Sequence, residues 1–86
     1  MKVMELRELT RKETGIYYRR EFRGQAVLES LGELSELPLS FIIENQPVGP
    51  PEISFAFDTE PTWPIVPVIS SLKHLVREMD KTGLLP

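Results

Sequence analysis

Apolar and polar residues alternate in short runs through the first two thirds of the chain, then change to a helical period. Residues 2–10 predict a first strand: Met4 and Leu6 alternate against Val3, Glu5 and Arg7, with Leu9 out of phase. The polar run from Arg11 to Gly15 predicts a hairpin loop with Gly15 at positive φ. Residues 16–23 predict a second strand, whose even positions Ile16, Tyr18 and Phe22 form an apolar face interrupted by Arg20. Gly24 suits a tight turn, and residues 25–30 suit a third strand. Val27, Leu31 and Leu34 also fit a helical face, but Gly32 counts against a helix there. Residues 31–36 then read as a loop.

Residues 37–44 alternate Leu37, Leu39, Phe41 and Ile43 against polar or mixed neighbours, the pattern of a fourth strand. Pro38 has no amide proton for a ladder and is expected at the strand's start or on an edge. A turn-rich stretch over residues 45–51 leads to the cleanest strand, 52–58, where Ile53, Phe55 and Phe57 share one face. Pro61, Trp63 and Pro64 mark a stiff joint, with Trp63 expected to staple the corner or to stand exposed as an anchor. A helix over residues 65–81 follows, with Pro67 tolerated in its first turn. At about 100° per residue, Ile65, Val68, Ile69, Leu72, Leu75, Val76 and Met79 gather on one stripe. Gly83 fits the residue after the helix end, with Leu84 folding back onto Met79.

Two apolar surfaces result, and each can be buried only against the other. The predicted architecture is α+β: a single domain with an antiparallel sheet of four to five strands and one C-terminal helix packed on one face. Its 86 residues bound a small core, and 41% hydrophobic with 27% charged residues is ordinary for a folded chain. No cysteine is present, which removes disulfides, thiol chemistry and cysteine-based metal sites. The start of the chain mixes apolar and charged residues without an apolar run, so no signal peptide is expected. The weakly charged stretch 61–72 is too short for a membrane span. A cytoplasmic location is the expectation.

Charge divides the chain unevenly. Residues 1–24 hold seven Lys and Arg against four Glu, a balance of +3; residues 25–86 hold three against nine acids, a balance of −6. The basic end also carries both tyrosines, in the run Tyr17-Tyr18-Arg19-Arg20-Glu21-Phe22-Arg23. On a regular strand, Tyr17, Arg19 and Arg23 would share the outward face, a rigid row of ring and guanidinium groups. Such a row suits a protein contact. It also suits stacking on nucleic-acid bases, although the acidic remainder would repel a long polyanion. Paired acids on neighbouring strands would instead make the arginines ordinary surface groups. Arg20 points to the apolar side, where it either snorkels to water or joins a glutamate from a neighbouring strand.

Catalytic signals are sparse. His74 is the single histidine, on the helix face opposite the stripe, and no phosphate-binding glycine loop occurs. Asp58 and Glu60 read as solvated carboxylates near the helix start. The expected function is a non-catalytic protein-interaction module without cofactor or metal, self-association being one form, with partner contact at Tyr17, Arg19, Arg23 and Trp63. A nucleic-acid-binding module using the same basic-aromatic face is the alternative.

Overall fold

The computed structural model describes residues 1–59 and 65–86. The proline joint from Glu60 to Pro64, and with it Trp63, lies outside the described residues. Four strands, β1 (Lys2–Lys12), β2 (Arg19–Ser30), β3 (Glu33–Glu44) and β4 (Glu52–Phe57), precede one helix, α1 (Ile65–Lys81). The sheet is an antiparallel meander in the order β1-β2-β3-β4, and α1 covers one face. The predicted α+β class and the C-terminal helix are both present.

Two predicted strands, 16–23 and 25–30, are one. Gly24 is not a turn: it sits inside β2, opposite Leu39 of β3, and the ladder runs unbroken from Arg19↔Glu44 to Ser30↔Glu33. The reason for a glycine lies on the other side, in β1. A Cβ at Gly24 would fall 2.5 Å from Leu9 Cδ2 and 2.9 Å from the Arg7 carbonyl oxygen. Glycine here permits close approach of a neighbouring backbone rather than reversal of its own. The reversal comes later, at Leu31-Gly32, where both residues have positive φ (53° and 80°) as a two-residue hairpin turn requires. The loop expected over 31–36 is therefore a two-residue turn, and β3 begins at Glu33.

β1 carries two bulges, one between Val3 and Glu5 and one between Arg7 and Thr10, with Glu8 at φ 55°. Each adds a residue and inverts the alternation. Val3, Leu6 and Leu9, three residues apart, thus all reach the core, while Met4 is exposed. The alternation read from Met4 and Leu6 does not hold for this reason.

Pro38 lies inside β3, not at its start. Its carbonyl accepts from the Asp58 amide, so its missing N–H faces the β4 side just past the last paired residue, Phe57. The inner face joins Phe22, Ala26 and Leu28 of β2, Leu37, Leu39, Phe41 and Ile43 of β3, and Ile53 of β4 to Val68, Leu72 and Val76 of α1. Phe22, Phe41 and Phe55 form a chain of ring contacts across three strands, with centroids 5.0 and 5.7 Å apart. The helix ends as expected. The amide of Gly83, at φ 72°, donates to the Asp80 carbonyl and that of Leu84 to Met79. Leu84 itself stays exposed, and Leu85 is the tail residue that packs on the core.

Candidate partner-binding surface

The outer face of the sheet is a ladder of charge. Arg19 lies 3.2 Å from Glu21 and 3.8 Å from Glu44, and Lys12 lies 3.8 Å from Glu21. Arg23 pairs with Asp58. Arg7 reaches across β2 to Glu36, over the positions of Gln25 and Val27; Val27 is buried although it points away from α1. The arginines proposed as a contact surface thus already have partners, on strands and positions that alternate in sign. Such exposed pairs contribute little stability, about 0–1 kcal/mol each, but they cancel the field a polyanion would sense.

Arg20 is the exception in position and in strength. It points to the helix side, and its guanidinium donates to both carboxylate oxygens of Asp80, at 2.9 and 3.1 Å. Its partner is thus neither water alone nor a strand glutamate, but the last turn of α1. The hydrogen bonds and, less so, the charge of Arg20 hold the Asp80 carboxyl below the usual carboxylate range, against the opposing effect of burial. The Arg20 guanidinium is shifted upward for the same first cause. Both positions continue an apolar stripe: Arg20 precedes Phe22 on β2, and Asp80 follows Leu72 and Val76 at four-residue steps on α1. A carboxylate in the final turn also opposes the helix dipole, a sequence signal that it has a partner elsewhere.

Tyr17 does not share a strand with the arginines. It belongs to the β1–β2 connection, residues 13–18, and is 96% exposed. That connection is held from within: Thr14 Oγ1 accepts from the Ile16 amide and donates to the Arg19 carbonyl, and the Arg19 amide donates to the Ile16 carbonyl. It is also tied to the β3–β4 connection, residues 45–51, through the Asn45 amide donating to the Tyr18 carbonyl (2.8 Å). The second connection braces itself, with Gln46 Nε2 donating to the Pro50 carbonyl.

The two connections enclose a shallow open groove of about 610 Å³, lined by Tyr17, Tyr18, Glu44, Asn45, Gln46, Pro47 and Glu52. The tyrosine rings stand at 87° to each other with centroids 5.9 Å apart. Sequence reasoning had placed Tyr17 among arginines; folding sets it among carboxylates and a proline. Glu44, Glu52 and the prolines are far from Tyr17 in the chain, and the antiparallel meander alone brings them to the same end of the sheet. Among the described residues no group of three or more His, Asp or Glu side chains is placed to hold a metal ion, and no helix is long and apolar enough to cross a membrane.

A family model matches residues 1–81, from the first strand to the last residue of α1. The chain belongs to the BB_0187 family. The match takes in every strand and the whole helix, so the complete two-layer unit is what the family model describes. No curated protein and no solved structure matches the chain.

Proposed function

We propose that this domain is a small non-catalytic protein-interaction module whose partner contact is centred on Tyr17. The observation that supports it is an almost fully exposed aromatic ring on a connection braced by side-chain and backbone hydrogen bonds. Holding such a ring in water lowers the entropic cost of binding, and tyrosine is among the residues that dominate protein contacts. Ile16, Tyr18 and Val48 are exposed on the same two connections and extend the apolar area. Arg19 and Arg23 flank this end as internally compensated charges, which weakens the nucleic-acid alternative. The absence of cysteine supports a cytoplasmic setting. Self-association through the same end is one form the contact takes in this reading.

Affinity capture at two ionic strengths, with and without nuclease, tests the proposal. Wild-type protein is expected to retain a protein partner at moderate salt and after nuclease treatment, and Tyr17→Ala to lose it while keeping its circular-dichroism spectrum. Identical capture by both forms overturns the reading. Capture that disappears with nuclease and falls steeply with salt would favour nucleic acid instead.

A further inference from the structure

Glu44 and Glu52 are directly opposite each other in the β3–β4 ladder. Like charges in that relation destabilise a sheet. The nearest internal cation is Arg19, opposite Glu44 on β2, and it lies closer to Glu21 (3.2 Å) than to Glu44 (3.8 Å). Glu52 has no ion pair among the described residues. Both carboxylates line the groove beside Tyr17 and Tyr18, and no cation lines it with them. The amide oxygens of Asn45 and Gln46 add acceptors, since Gln46 uses its nitrogen on Pro50.

Rings at right angles, two opposed carboxylates and free amide oxygens share one complement. Each attracts a cation carrying several N–H donors: π faces through their quadrupoles, carboxylates by charge, amide oxygens by hydrogen bonds. A guanidinium meets all three, because it is planar, stacks on rings and forks onto carboxylates. We infer that the groove between the two connections receives an arginine side chain from a basic, extended segment of a partner protein. This rests on the interaction-module reading and gives its partner a chemistry. The opposed glutamates are then a binding feature held at the expense of stability, which the incoming cation relieves.

The test uses the full chain and three capped pentapeptides, identical except for a central arginine, lysine or citrulline. Citrulline keeps the shape of arginine without its charge. Titration to several millimolar is followed by amide and tyrosine-ring NMR shifts, alongside thermal melts of wild type and Glu52→Gln. The arginine peptide is expected to shift Tyr17, Tyr18, Asn45, Gln46 and Glu52 at least about threefold more than citrulline at equal concentration, with lysine between them. Glu52→Gln is expected to weaken the arginine response at least about threefold while raising the melting temperature by roughly 1–5 °C. Equal responses to arginine and citrulline, shifts confined elsewhere, or a lower melting temperature in Glu52→Gln each overturn the inference. Should these appear while Tyr17→Ala still abolishes capture of a protein partner, the interaction module stands and only its cation specificity falls.

Discussion

Replacing Arg20 by Met and Asp80 by Asn, singly and together, isolates the link between sheet and helix. The pair makes two hydrogen bonds, at 2.9 and 3.1 Å, between side chains 23% and 32% exposed. Hydrogen bonds to charged groups contribute about 1.5–3 kcal/mol, and exposed ion pairs about 0.2–1. Partial exposure puts this pair between those ranges, at about 1.5 kcal/mol of coupling at pH 7. For a domain of this size that is a shift of about 6–12 °C in Tm. Arg20→Met is expected to be the more harmful single change, at about 2 kcal/mol, because it leaves a half-buried carboxylate facing the negative end of α1. Asp80→Asn leaves an arginine long enough to reach water and costs about 1–1.5 kcal/mol. The carboxyl is depressed in the folded state. Its contribution is therefore complete above the unfolded value of about 3.9 and is lost as pH falls through the lower folded value. Urea unfolding of the four proteins between pH 7 and pH 2.5 measures both effects. The other carboxylates titrate alike in wild type and Asp80→Asn, so their difference reports Asp80. Coupling below about 0.3 kcal/mol at pH 7, or parallel acid profiles for those two proteins, would refute the reasoning.

Two further changes test the backbone. Gly24→Ala forces a Cβ against the Arg7 carbonyl and Leu9, at an overpacking cost of about 1–3 kcal/mol against a gain of about 0.4–1 from a stiffer unfolded chain. The urea midpoint should fall by the equivalent of about 1–2 kcal/mol, and an unchanged midpoint would show that β1 yields freely there. Leu31 is a fully exposed bulky residue at φ 53°. Leu31→Asn should therefore stabilise the turn by about 0.5–1 kcal/mol, visible as a Tm higher by a few degrees, and a lower Tm would mean that the leucine side chain has a packing role.

Where alternation or helical spacing was unbroken, the chain alone determined the outcome. Leu37 to Ile43, Ile53 to Phe57, the stripe of α1 and the Gly83 cap all follow from period and from local backbone preference, which need no distant residue. Class and layer order follow as well, because two apolar surfaces had no other cover. The tertiary structure decided everything that depends on what lies one strand away. Gly24 has the same composition signal as a turn, and only the bulged β1 pressing on it explains why β2 runs straight through. Val3, Leu6 and Leu9 share a face because two bulges reset the phase, an effect set by pairing with β2 rather than by the residues themselves. Arg20 and Asp80 are 60 positions apart, and their bond exists because α1 crosses the sheet with its last turn over β2. For the candidate surface, composition singled out the tyrosines and arginines, and folding then separated them. Arg19 and Arg23 were drawn into a cross-strand ladder, while Tyr17 was carried to the sheet end beside Glu44 and Glu52. Charge along a chain adds up by position, but a binding surface is a matter of which residues the meander makes neighbours.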